Sequence, residues 1–244
     1  MIPGSFAYHR PASIKDALAL LADLGDNARA LAGGHSLIPM MKLRLATPDH
    51  LVDLAGLPDL KGIRADGADI VIGAMTTQHE MIHSDLLSAK IPILRETALV
   101  IADPQVRYVG TLGGNVANGD PGNDMPAVML CLGATYQVAG KSGERRIAAR
   151  EFYQGAYFTA LEPGEILTAV RIKVPADGHG FAYLTRIQGQ DFWLLDLTTK
   201  ESRMIARVEN QGALRTFDIT PDGKYIVFDR SRQNSNVVLI DLPN

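Results

Sequence analysis

Two diglycine segments of similar make-up stand out for the chemistry they could do, Ala32-Gly33-Gly34-His35-Ser36 and Thr111-Leu112-Gly113-Gly114-Asn115. Adjacent glycines carry no Cβ, so backbone amides there can approach a phosphate closely, and a neighbouring hydroxyl or amide side chain adds a donor. Two such bends can hold a pyrophosphate between them, and Ser36 would open a helix whose exposed amides favour an anion. Taken singly, each pair also fits an ordinary tight turn, and neither has the G-x-G-x-x-G spacing of a dinucleotide-binding βαβ unit. A rival constellation, His79-Glu80-Met81-Ile82-His83, matches the H-E-x-x-H pattern of zinc peptidases, with both histidines on one helix face. A zinc hydrolase would need a third protein ligand that the sequence does not identify, and the same residues fit the solvated face of a capped helix.

Other reactive side chains read as structural. His9, His50 and His179 stand near turns, and Cys131 lies between Leu130 and Leu132, where a cysteine packs as a small hydrophobe. Phe152, Tyr153, Tyr157 and Phe158 could stack on a ring, but core packing accounts for them as well.

The elements that must position the bends follow from capping and periodicity. Ser13 is suited to cap a helix in which Ile14, Ala17, Leu18, Leu21 and Leu24 share a face, with Gly25 as its stop. Ala28 to Ala32 reads as a short buried strand feeding the first bend, and a short helix follows through Met41. Leu51 to Leu54 is a further strand, and Asp66-Gly67 turns Lys61–Arg64 back along Ile70–Ile72 as a hairpin. Thr77 and Glu80 make a capping box for a helix predicted to run through Leu87, and another is predicted from Ile93 to Ile101. Residues 107–124, rich in Gly, Asn, Asp and Pro, read as one long loop, and Asp124 as the cap of a helix from Pro126 to Leu132. Strands at Thr135–Val138 and Ile166–Val174, separated by a hairpin turn and a helical segment near Arg150, complete an α+β pattern.

Composition narrows the function classes. At 244 residues with 46% hydrophobic and 21% charged residues, the chain is an ordinary globular sequence able to bury a sizeable core. A formal net charge of −3 with scattered Lys and Arg provides no basic field, so nucleic acid is not an expected partner. One cysteine rules out an internal disulfide, and any cysteine-ligated cluster must sit on a partner. Met1 to Arg10 lacks the features of a signal peptide, and no apolar run approaches the ~18 residues of a membrane span, so a cytoplasmic location is expected.

From Met1 to about Tyr183 the chain resembles the FAD-binding medium subunits of the xanthine dehydrogenase family, above all those of aerobic, molybdenum-containing carbon monoxide dehydrogenases. The resemblance is carried by residues 32–39, by Ile72 to His79, by Ala102 to Arg107 and by the specific run Gly110 to Ala127. It implies a two-lobed PCMH-type FAD-binding domain, with lobes at about 1–57 and 58–176 and the cofactor between them. It further implies that Ala32, Gly33, Gly34, His35 and Ser36, together with Thr111, Gly113, Gly114 and Asn115, embrace the pyrophosphate. Ala117, Asn123, Asp124 and Leu167 are implied as further FAD contacts. By the same resemblance a molybdopterin large subunit oxidises substrate, an iron–sulfur small subunit passes the electrons on, and FAD hands them to an acceptor such as a quinone.

Beyond a junction at 177–186 the chain departs from that family. Trp193-Leu194-Leu195-Asp196-Leu197 returns as Val238-Leu239-Ile240-Asp241-Leu242, with a Pro221-Asp222-Gly223 turn between. This texture resembles a blade of TolB-like or WD40-like β-propellers, so 187–244 is expected to form a blade-like segment and to serve, on an alternative reading, as an interaction module.

Overall fold

Ser13 starts the first helix in the way its side chain allows: its Oγ accepts from Asp16 N at 3.1 Å. In the computed structural model, which describes residues 2–174 in full and beyond them the backbone of six strands between 181 and 241, the chain opens with β1 (Ala7–His9) and α1 (Ile14–Leu24). Gly25, at φ +56°, stops α1 in a conformation suited to glycine. Then follow β2 (Ala28–Leu31), α2 (Leu37–Lys42) and β3 (His50–Asp53). The three strands form a sheet in the order β1-β3-β2, and both outer strands run parallel to β3. Parallel neighbours require crossovers, which α1 and α2 supply. Ala17 and Leu21 of α1 are buried with Ala28, Val52, Leu54, Leu57 and Leu60, and Met75 and Ile166 from later in the chain join the same cluster.

A second sheet follows. β4 (Ile63–Asp66) and β5 (Asp69–Gly73) form the expected hairpin, with Gly67 at φ +63° in its turn. The chain then runs through α3 (Gln78–Ile82), α4 (Asp85–Lys90), α5 (Pro92–Val100), α6 (Pro104–Val109), α7 (Leu112–Ala117) and α8 (Asp124–Cys131). It returns as β6 (Thr135–Gly140) and β7 (Gly143–Ala148), makes α9 (Ala149–Phe152) and the short pair β8 (Tyr153–Gly155) and β9 (Phe158–Thr159), and enters β10 (Ile166–Lys173). The sheet order is β4-β5-β10-β6-β7 with antiparallel pairing throughout, so the last strand of the unit lies at its centre. Strand residues Ile70, Ile72, Tyr136, Val138, Val170 and Ile172 share one buried cluster with Met81, Leu94, Leu112, Val116, Met125 and Met129 from the helices. The α+β expectation holds.

Three local expectations are corrected. The helix opened by the Thr77–Glu80 capping box ends at Ile82, because Ser84 adopts an extended conformation and caps a new helix by accepting from Leu87 N. Residues 107–124 are not one loop: Asp103 caps α6 through Val106 N, and Thr111 caps α7 through Gly114 N. Asp124 is the first residue of α8 rather than its cap; Asn123 holds the cap position, and its side chain is directed elsewhere.

The chain divides into two compact units, Met1–Val174 and Pro175–Asn244. In the second, β11 (Phe181–Thr185), β12 (Asp191–Asp196) and β13 (Ser202–Arg207) form one antiparallel sheet. β14 (Ala213–Ile219), β15 (Tyr225–Ser231) and β16 (Asn236–Asp241) form another. Among the described residues each sheet has three strands, with the described parts of the two similar runs on β12 and β16, an arrangement that does not establish the blade expected for 187–244. The side chains of this unit, the Pro221-Asp222-Gly223 turn and residues 177–180 and 186 of the junction lie outside the described residues.

Candidate functional site

The first bend leaves β2 at Leu31, whose carbonyl accepts from Leu54 N at 2.9 Å and so fixes the direction in which Ala32 departs. Gly34 adopts φ +72°, a region costly for other residues, and the bend then runs into α2. Gly33 is required for a different reason: a Cβ there would lie 2.3 Å from Val109 O and 2.9 Å from Gly110 Cα. The His35 ring closes the bend from within, its Nδ1 lying 2.9 Å from Gly33 O. The backbone amides of Gly33, Gly34, His35 and Ser36 meet no acceptor among the described residues.

The second bend is built from both sides. Residues 76–78 and 110–112 form a short antiparallel ribbon in which Gln78 N donates to Gly110 O and Leu112 N to Thr76 O, each at 2.9 Å. Thr111 Oγ1 accepts from Gly114 N at 3.0 Å, and Gly113 N donates to Ala74 O at 2.8 Å. Ala74 N in turn donates to Thr168 O, which ties the bend to β10 at the centre of the sheet. A Cβ on Gly113 would lie 2.6 Å from Ala74 Cβ, and one on Gly114 would lie 3.3 Å from Ala32 Cβ.

The two bends therefore lie against each other, Gly33 on Val109–Gly110 and Gly114 on Ala32. Their roles differ from the expectation of matched donors. The amides of Gly113 and Gly114 are already satisfied, and Asn115 N donates to Thr111 O within α7. The first bend offers free main-chain donors, while the glycines of the second permit close approach.

The remaining candidates fall into three places. Asn115 and Asn123 are joined, Asn123 Nδ2 donating to Asn115 O at 2.9 Å, and Ala117 lies half-buried near the end of the same helix. Asp124 is exposed at the start of α8. Leu167, 5% exposed, packs in the main hydrophobic cluster, one residue before the carbonyl that holds Ala74. An open cavity of about 480 Å³ adjoins Asn123 and is bounded by Asp120, Pro121, Leu130 and Tyr153. On its rim Asp120 accepts from Gly122 N, and the hydrogen bond between Asp120 and the exposed Tyr157 holds the Tyr157 phenol above its ordinary pKa.

Two buried polar groups test whether a cofactor fits here. Asn115 Oδ1 and both polar atoms of the Gln78 side chain are buried without a partner. Orphaned amides cost free energy unless a ligand or water completes them. Free main-chain donors beside orphaned side-chain amides suit a phosphate-linked polyhydroxyl group, so the donor set fits FAD. Sequence reasoning missed Gln78, whose only signal was its place in the Thr76-Thr77-Gln78-His79 stretch. It also missed Ala102, which precedes α6 with an uncommon positive φ of 42°.

The H-E-x-x-H segment is otherwise engaged. Glu80 Oε2 accepts from Thr77 N and Oγ1, His83 Nδ1 lies 2.8 Å from His79 O, and His79 stacks between His83 and Tyr108. Among the described residues no cluster of three or more His, Cys, Asp or Glu is placed to hold a metal ion, and no helix is long and apolar enough to cross a membrane.

Residues 4–176 match the family described as FAD binding domain in molybdopterin dehydrogenase. Over 183 residues the chain is 70% identical to the carbon monoxide dehydrogenase medium chain of Afipia carboxidovorans, covering 75% of this chain and 64% of that one. It is 49% identical to the protein of the same name from Hydrogenophaga pseudoflava over the same shares. The chain thus spans about 64% of the length of these curated relatives. Among solved structures, a Cu,Mo-CO dehydrogenase chain aligns with a TM-score of 0.75 and 54% identity, covering 98% of this chain and 79% of that chain.

Proposed function

This chain belongs to the family of FAD-binding domains in molybdopterin dehydrogenases, and from that premise we propose that it is the flavin-carrying, electron-relaying subunit of a molybdenum hydroxylase of the carbon monoxide dehydrogenase kind. The observation that carries the reading is the first bend, with the amides of Gly33 to Ser36 unspent and the bend pressed onto Val109–Gly110. When bound, FAD supplies the conversion between paired and single electron transfers that such an oxidoreductase needs. The chain supplies binding and orientation. Gly33, Gly34, His35 and Ser36 would give main-chain donors to the diphosphate, with Ala32 at the edge of the bend against Gly114. Thr111, Gly113 and Gly114 would bring the opposite wall close enough to enclose it. Asn115, Ala117, Asn123 and Asp124 would line the continuation of the site. Leu167 would act from the core, through the Thr168–Ala74–Gly113 hydrogen bonds, rather than by a polar contact.

With Cys131 as the only cysteine, an iron–sulfur centre would lie on a small partner subunit and the molybdopterin on a large one, with a quinone as a suitable final acceptor and the cytoplasm as the location. The test is direct. The full chain purified with added FAD should be yellow and release flavin on denaturation, and Gly33→Val should be colourless while keeping its circular dichroism. A wild-type chain that stays colourless with FAD in excess would sink the proposal.

A further inference from the structure

Gln78 is the most conspicuous unpaid side chain in the described part of the molecule. It is 1% exposed, and neither Nε2 nor Oε1 has a hydrogen-bond partner. Its backbone is fixed at the second bend, where its N–H donates to Gly110 O at 2.9 Å, and a Cβ on Gly33 of the first bend would lie 2.9 Å from Gly110 Cα. Its side chain is buried on α3 along with Met81 and Ile82, whose cluster also takes Leu112 and Val116 of α7. Asn115, between those two residues of α7, carries the other orphaned amide oxygen of this neighbourhood.

The type of orphaned atom selects the ligand chemistry. Phosphate oxygens only accept, so they could satisfy Gln78 Nε2 and would leave both Oε1 and Asn115 Oδ1 unpaired. A hydroxyl donates one proton and also accepts, so two neighbouring hydroxyls can complete all three. We infer that Gln78 is a further cofactor-binding residue, which with Asn115 Oδ1 takes sugar-alcohol hydroxyls next to the diphosphate, from either the ribityl chain or the adenosine ribose of FAD. The inference rests on the FAD reading above and deepens it.

The experiment measures binding of FAD and of ADP to the full-length chain by fluorescence and calorimetry, together with the melting temperature of the apoprotein. Gln78→Met, of similar size and without an amide, should weaken FAD about tenfold and leave the apoprotein at least as stable, because an unpaired buried amide has been removed. Gln78→Asn, which withdraws the same groups by one methylene, should weaken FAD as well, so the test survives if one variant folds poorly. Loss confined to FAD identifies the ribityl hydroxyls, and an equal loss for ADP identifies the ribose; either supports the inference. Unchanged FAD affinity in the folded variants overturns it, and with a lowered apoprotein melting temperature would assign the amide to a buried water instead. The FAD reading fails separately, if wild type does not bind FAD or if Gly33→Val binds it as wild type does.

Discussion

Thr77 and Thr111 face each other across an antiparallel bridge, and each caps the helix that begins one residue later. Two helices thus start side by side from one short ribbon, and the second diglycine bend inherits its position from that ribbon. Among the described residues the Thr111 hydroxyl is the acceptor for Gly114 N, at 3.0 Å. Thr111→Val should therefore cost about 1 kcal/mol in stability, the usual worth of a helix cap, and should weaken FAD by loosening the wall opposite the first bend. Thr111→Ser keeps the hydroxyl and should restore both. Denaturant melts and FAD titration of the three proteins check the pair of effects together.

The glycines of the two bends should respond differently to the same added methyl. In Gly113→Ala the Cβ meets Ala74 Cβ and O, each at 2.6 Å, inside the strand-supported part of the unit. This variant should lose stability whether or not cofactor is present. In Gly34→Ala the nearest atom is Ile38 Cγ1 at 3.1 Å, a side-chain end that can move, but φ +72° must be held. That strain costs about 1–2 kcal/mol, and the bend should relax and surrender its donors. The expectation is a larger drop in apoprotein melting temperature for Gly113→Ala than for Gly34→Ala, and a larger loss of FAD affinity for Gly34→Ala than its drop in stability accounts for. Equal effects of both on the melting temperature would contradict the division of roles.

How far the sequence disclosed this arrangement depended on where each partner lies along the chain. α1 was legible because cap, periodicity and stop signal lie within Ser13 to Gly25, and the 63–73 hairpin because Asp66-Gly67 states its own turn. The helices inside 104–117 were not. Gly113, Gly114 and Asn115 are poor helix formers, and α7 exists because Leu112 and Val116 are buried and Thr111 caps it. The juxtaposition of the bends was anticipated from their similarity, but not the spent state of the second, whose acceptor Ala74 O lies 39 positions from Gly113 in a strand-end segment that local pattern cannot connect to it. The similar runs at 193–197 and 238–242 were legible only as strands, because similar composition recurs in many strands and does not by itself specify how they assemble.

One ion pair ties the late part of the first unit together and makes its stability depend on pH. Arg145 grips Glu165 with both arms, Nε to Oε1 at 2.8 Å and Nη2 to Oε2 at 2.7 Å, and Glu162 N adds a third donor. The Arg145 guanidinium holds the Glu165 carboxyl below its ordinary pKa, with the Glu162 amide acting in the same direction. A depressed folded-state value means that the stabilisation is fully present above the unfolded pKa of about 4.3 and is lost as pH falls through the folded one. Glu165→Gln should therefore melt earlier than wild type at neutral pH, by an amount corresponding to about 1 kcal/mol, and the gap should narrow as pH falls below the unfolded value of about 4.3. A constant gap across that range would show that the pair contributes through packing against Gly140 rather than through charge.

The chain divides into Met1–Val174 and Pro175–Asn244, and all residues proposed for the cofactor site belong to the first unit. Both bends precede Pro175, as does every member of the two buried clusters among the described residues. A chain ending at Val174 should accordingly fold, melt cooperatively and bind FAD, with a smaller change in affinity than Gly34→Ala produces. If Pro175–Asn244 instead provides a surface for a partner subunit, pull-down of that partner should fail with the shortened chain while flavin binding persists. Loss of flavin binding on truncation, in a protein whose circular dichroism shows it to be folded, would mean that residues after Val174 complete the cofactor site, and the two bends would no longer suffice to account for it.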